Sequence, residues 1–257
     1  MNKLLRLTLI LFMWFNAISY ADTTDLKLYK VREYSYTSDG KLNIERIYDK
    51  DEILRRTKYY YYGKYGIVAV EERNENGGNK LFAYEYKNGK LVKRYEVKKV
   101  WNYSNGTTKY EAIGDSRIEY EYNRYGNLVY RYEYASTVLY KTRYEYDSSG
   151  KITLAINPAE VKIECGYDSD GKLIEEVFNG HNAKIKYEYD GNLLYSSNVT
   201  AEDGSLAAKV KYEYNSAGQL IRIYEFGFSF LTYHCRPLHS EIAFAYKQLD
   251  SFFYPGF

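Results

Sequence analysis

Two aromatic side chains around one residue, a short polar turn ending in glycine, then an aliphatic residue: this unit recurs along the whole chain. It reads "YSYTSDGKL" (34–42), "YYYGKYGIV" (60–68), "YEYKNGKL" (84–91) and "YEYNRYGNL" (120–128). It continues as "YEYDSSGKI" (144–152), "CGYDSDGKL" (165–173), "YEYDGNL" (187–193) and "YEYNSAGQL" (212–220), with "WNYSNGTT" (101–108) a weaker ninth match. The mean step is about 22 residues, within the range of repeat architectures. Within "RIEYEY", Ile118, Tyr120 and Tyr122 alternate with Arg117, Glu119 and Glu121. Period two places the tyrosines on one face of a strand and the charges on the other. Asp or Asn at the turn start can bond its own backbone, and glycine accepts a positive φ. A second set of turns lies midway, at "NENGGN" (74–79), "NPAE" (157–160), "NGHN" (179–182) and "EDGS" (202–205). Two strands and two turns fill each period, so the reading is all-β: an antiparallel β-hairpin repeat meander of eight or nine units, a curled single-layer sheet.

The motif Tyr-Asp/Asn-x-x-Gly-x-Leu/Ile resembles the YD repeats of Rhs-type and teneurin-like proteins, best in "YDSSGKI" (146–152), "YDSDGKL" (167–173) and "YNSAGQL" (214–220). The resemblance spans residues 29–226 and implies a single-layer shell, in some relatives tied to carbohydrate binding or cell contact. The chain departs from large members in having few units and no room for a toxin domain, which speaks against a full cocoon. A variant of MORN-type repeats is a second resemblance, carried by "YEYKNGKLVKRYEV" (84–97).

The N-terminus reads as a secretory signal over 1–21: Lys3 and Arg6 precede an apolar run, and Ser19-Tyr20-Ala21 offers a cleavage site before Asp22. Expected domains are therefore the signal, a β-repeat domain over 22–226, and an aromatic cap over 227–257. Cleavage would remove two of the 36 basic residues and balance the 34 acidic ones, which excludes a general nucleic-acid binder. In the tail, "SEIAFAYKQLDSFF" places apolar residues at helical spacing behind Ser240, so a short helix over 240–253 is expected to cap the sheet.

Catalytic, cofactor and metal sites are not expected. "HCRPLH" (234–239) lacks a second ligand cluster, and no nucleophile elbow, phosphate loop or His-Glu-x-x-His occurs. Cys165 and Cys235 are the only cysteines; in an oxidising compartment they form a disulfide, or else stay as two buried thiols. Tyr61, Tyr65 and Tyr125 are the candidate surface-binding aromatics, because turn tips and a run of four tyrosines must expose some rings. The expected function is a secreted or periplasmic, non-enzymatic scaffold that binds a protein or glycan at the cell surface or envelope, with no nucleic-acid partner and no membrane association after signal cleavage. The alternative is an outer-membrane β-barrel, opposed by a tyrosine-rich wall and by Pro255-Gly256 in what would be its closing strand.

Overall fold

The computed structural model describes residues 26–102, 107–135, 138–158, 160–179 and 183–227. The first four hairpins are β1 (Leu28–Tyr36) with β2 (Leu42–Asp49), β3 (Leu54–Gly63) with β4 (Gly66–Asn74), β5 (Lys80–Lys87) with β6 (Lys90–Asn102), and β7 (Thr107–Tyr122) with β8 (Leu128–Ala135). The next four are β9 (Val138–Tyr146) with β10 (Ile152–Ile156), β11 (Lys162–Tyr167) with β12 (Leu173–Asn179), β13 (Ala183–Asp190) with β14 (Leu193–Thr200), and β15 (Leu206–Tyr214) with β16 (Leu220–Gly227). Every strand pairs antiparallel with its chain neighbours, and β1 also pairs with β16 through Val31↔Tyr224 and Glu33↔Arg222. The sheet is a closed sixteen-strand barrel.

The antiparallel hairpin meander is as expected, and the sheet expected to curl closes completely on itself. The closing strand is β16, so the Pro255-Gly256 argument does not apply to it. No helix occurs among the described residues; the expected 240–253 helix lies outside them, as does Cys235. Of the weaker match at 101–108, Trp101 and Asn102 end β6 and Thr107 and Thr108 begin β7; these two strands, 13 and 16 residues, are the longest among the described residues.

The eight glycine turns of the repeated unit, one per hairpin from β1–β2 to β15–β16, lie at one end of the barrel. In the β9–β10 turn, Asp147 Oδ1 accepts from the Ser149 and Lys151 amides at 2.8 and 2.9 Å, and Gly150 adopts φ 84°. A side chain in that backbone region is strained, which is why glycine recurs there. Beyond each turn the register slips by one residue: Tyr146 faces Ile152 while Glu145 faces Leu154, leaving Thr153 bulged. The same slip follows the aliphatic residue in every glycine-turn hairpin. A bulge resets the alternation, so the aliphatic residue and the tyrosine pair can all face inward.

The second tyrosine of each unit has a further task. Between units the ladder stops short of the glycine turns: β2 and β3 last pair at Ile44↔Tyr59, which leaves the Leu42 carbonyl without a strand partner. Tyr62 donates its hydroxyl to that carbonyl at 2.9 Å. Tyr86, Tyr122 and Tyr146 bond Ile67, Leu91 and Leu128 in the same way, and Tyr167, Tyr189 and Tyr214 bond Ile152, Leu173 and Leu194, all at 2.6–3.0 Å. Tyr36 of the first unit reaches Leu220 of the last at 2.7 Å. The ring of eight phenol staples is complete, and the seam is built like every other joint. A buried carbonyl without a donor is costly, so the phenol serves as the missing rung. This is the physical content of the repeated Tyr and Leu.

Candidate functional site

Cross-strand partners share a face, so the register divides inner wall from outer wall. Among the four consecutive tyrosines, Tyr60 and Tyr62 point inward and Tyr59 and Tyr61 outward; Tyr60 is 8% exposed and Tyr61 45%. Sixteen strands enclose more space than one layer of side chains fills, since about eight strands already hold a filled interior.

The inner wall has two chemistries. From β9 to β15 it is mainly apolar: Tyr144, Ala155, Ile163, Phe178, Ile185 and Val199 are buried in one cluster, with Thr142, Glu176 and Ser197 as buried polar exceptions. Cys165 stands in that arc at a position where other units carry tyrosine, and burial, then Glu176 opposite it, push its thiol up to about 12. Such a thiol is a poor nucleophile at neutral pH. Because Cys165 faces inward, any bridge to Cys235 requires the tail to enter the barrel.

Around the seam the inner wall is charged. Arg32 Nε meets Glu225 at 2.7 Å and its Nη1 meets Glu45 at 3.4 Å. Lys30 adds a second contact to Glu225 at 3.3 Å; Lys58 and the Tyr60 hydroxyl complete Glu45 at 2.9 and 2.8 Å. Glu45 is 3% exposed. Burial alone would raise its pKa, but Lys58 and Arg32 win and hold it at about 2. Burial and then Glu45 push the Tyr60 phenol far above its usual range, so it remains a donor. Further inward pairs, Arg56–Glu72 at 3.3 Å and Lys80–Glu96 at 3.1 Å, extend the polar arc toward the end opposite the glycine turns. Sequence reading missed this network, although the signal was present: Arg32 and Lys58 lie in phase with the inward tyrosines, where Ile118 and Val210 stand in other units.

The outer wall carries ion pairs on strand after strand, among them Arg73–Glu71, Arg117–Glu119, Arg143–Glu145 and Arg222–Glu33 at 2.6–2.8 Å. Across β14–β16 it is indented by a cavity of about 340 Å³ lined by Tyr195, Lys211, Tyr212, Glu213, Tyr224 and Phe226. Of the candidate aromatics, Tyr61 lies on this wall and donates to Glu71 at 3.0 Å. Tyr65 and Tyr125 sit on the β3–β4 and β7–β8 turn tips, 51% and 73% exposed. The structure thus puts two of the three on one rim and the third on the wall beneath. Among the described residues, no group of three or more His, Cys, Asp or Glu could hold a metal.

No family model matches the chain, and no curated protein matches it. Solved structures similar to it include the TcdB2-TccC3-TEV complex (11% identity, 78% of this chain and 12% of that one, TM-score 0.32). They also include TcdB2-TccC3-Cdc42 (10%, 81% and 13%, 0.33) and a porin-like protein from Bacteroides uniformis ATCC 8492 (11%, 80% and 97%, 0.35). The chain spans about an eighth of the length of the first two. Likenesses at these TM-scores carry no conclusion about what this chain does.

Proposed function

We propose that the chain is a water-soluble, non-enzymatic barrel of the extracytoplasmic space that offers its outer surface and turn rim to a glycan or protein partner. The observation that carries this reading is the outer wall. Mid-strand cations such as Arg73, Arg117, Lys141, Arg143, Lys184 and Arg222 all point away from the interior. A lipid-facing Arg or Lys costs roughly 2–4 kcal/mol at the bilayer midplane, so such a wall would cost on the order of tens of kcal/mol in a membrane. Water makes the same wall cheap, and its ion pairs need contribute almost nothing.

The outer-membrane reading keeps one observation in its favour: an even number of antiparallel strands closed without an edge is the architecture of such barrels. Its strands, however, are mostly 8 or 9 residues long, at or below the 9–11 that a tilted membrane strand needs. The YD-repeat resemblance fits a soluble shell whose tyrosines are mainly structural, as the staple ring makes them. Fractionation of the full chain in an envelope-bearing host separates the two readings. Recovery in the soluble extracytoplasmic fraction is expected; recovery only after detergent extraction of membranes overturns the proposal.

A further inference from the structure

The glycine-turn rim is electrostatically lopsided. Three consecutive tips, "GKYG" (63–66), "KNGK" (87–90) and "NRYGN" (123–127), carry Lys64, Lys87, Lys90 and Arg124 and no carboxylate. The next three tips, 147–151, 168–172 and 190–192, carry Asp147, Asp168, Asp170 and Asp190 against Lys151 and Lys172. None of the four basic-arc cations forms an ion pair among the described residues. Three of them lie against rings instead: Lys64 Nζ is 5.1 Å from the Tyr65 centroid, Lys90 Nζ 5.3 Å from Tyr122, and the Arg124 guanidinium 4.7 Å from Tyr125. Arg124 also donates to the Tyr125 hydroxyl, and the Tyr65 ring packs 6.5 Å from Tyr86. The two most exposed rings of the candidate set therefore stand in the cationic arc, each beside a cation with no acid to neutralise it.

We infer that this arc, Lys64, Tyr65, Lys87, Lys90, Arg124 and Tyr125, is a binding surface for an anionic polysaccharide. The inference rests on the proposed soluble, surface-binding role and names its ligand class. Adjacent tips are two strands apart, so three tips span about 19 Å at the usual strand spacing. That suits an extended chain with repeating negative charges better than a small molecule, which would favour an enclosed pocket. Lys and Arg meet carboxylate or sulfate groups with charge-assisted hydrogen bonds, the guanidinium in a fork that matches their oxygens. Exposed tyrosine supplies a flat face for the apolar side of a sugar ring and a hydroxyl for its edge, with little side-chain entropy to lose. No aliphatic side chain protrudes from the three tips to enter a bilayer. The nearly balanced net charge of the chain gives no general pull toward nucleic acid.

Affinity electrophoresis of the full chain in gels containing polygalacturonate, heparin or neutral dextran tests the inference, with flotation on phosphatidylglycerol vesicles as a parallel arm. Retardation by a polyanion and not by dextran is expected, together with an affinity loss of at least about tenfold in the variant Lys64→Gln, Lys87→Gln, Lys90→Gln, Arg124→Gln. Tyr125→Ala should weaken binding about threefold or more while leaving its salt dependence unchanged. A matched variant on the outer wall, Lys141→Gln, Lys184→Gln, Lys186→Gln, Lys209→Gln, should bind as the unaltered chain does; circular dichroism and thermal melts verify that both charge variants fold. Equal loss in the two variants, absence of retardation, or flotation that depends on the same four cations overturns the inference. Retention by dextran that Tyr125→Ala abolishes also overturns the anionic ligand, while leaving the broader surface-binding reading in place.

Discussion

The two arcs of the inner wall are built on the same repeat and hold together by different physics. In β9–β15 the inward positions are mostly aliphatic and aromatic, thirteen residues of one buried cluster when Leu128 and Ala208 at its edges are included, and Glu176 is the one buried carboxylate among them. In β2–β6 the corresponding buried cluster has five members, and paired charges share the inward positions with half-buried apolar side chains such as Leu42 and Phe82. Both arcs keep the turn, the bulge and the phenol staple. What the difference teaches is that closure is specified by the backbone-directed parts of the repeat, leaving the filling of the wall free to vary.

That contrast has measurable consequences. The largest belongs to the dry arc: Phe178, 3% exposed between Ile163 and Ala183, leaves a void when cut to alanine. Phe178→Ala should lower the unfolding free energy by about 3–5 kcal/mol in urea titrations. A loss under about 1 kcal/mol would mean that the arc is loosely packed and the comparison unfounded.

The charged arc should break by a different rule. Arg32→Met leaves Glu45 and Glu225 facing each other's strands with one lysine apiece. With the Arg32 side chain 28% exposed, the cost should be about 2–3 kcal/mol, below the full penalty for orphaning a buried charge. The triple change Arg32→Met, Glu45→Leu, Glu225→Leu should recover most of that loss, because Lys30 and Lys58 keep partial access to water. If the triple variant is no more stable than the single one, the network is not a self-contained ionic unit.

Acid should act on the charged arc through Glu45. The Glu45 pKa is lowered from 4.5 to about 2 in the folded chain, so its contribution is present above the unfolded value and is lost as pH falls from about 4.5 toward 2. The full loss is about 3 kcal/mol, and Glu45→Gln should remove this pH dependence at the cost of lower stability near neutrality. Urea midpoints at pH 6, 4 and 2 for both proteins check it. An identical acid response in the variant would assign the effect to other carboxylates.

Much of this architecture could be read from the chain. Strand alternation gave the inward tyrosines and outward glutamates, and the glycine positions gave the turns, because both signals are local. Closure could not be read in that way. It depends on how twist and bulge accumulate over eight units, which no single repeat displays. The phenol staple escaped notice because its acceptor is a backbone carbonyl, which has no letter in the sequence. The charged arc was legible in principle: counting back from Tyr34 and Tyr60 places Arg32 and Lys58 inward, against the rule that inward positions are apolar. The exposed turn-tip positions of Tyr65 and Tyr125 were legible from turn chemistry, whereas the grouping of the cations beside them emerged only when the closed ring placed their three tips side by side.

The smallest expected effect tests the feature common to both arcs. Removing one staple hydroxyl, as in Tyr122→Phe, keeps the ring and deletes only its bond to the Leu91 carbonyl, for an expected loss of about 1 kcal/mol. Tyr36→Phe deletes the equivalent bond to Leu220 across the seam. If the seam is one joint among eight, the two variants should match in both midpoint and denaturant slope. If the seam is the weak point of the ring, Tyr36→Phe should cost more and lower the slope, because an opened barrel exposes the unpaired edges of β1 and β16 before unfolding. Such edges also favour pairing between molecules, so size-exclusion chromatography of Tyr36→Phe gives a second readout. Matching behaviour is expected, because the Val31↔Tyr224 ladder and the Arg32–Glu225 pair hold the seam independently of the phenol.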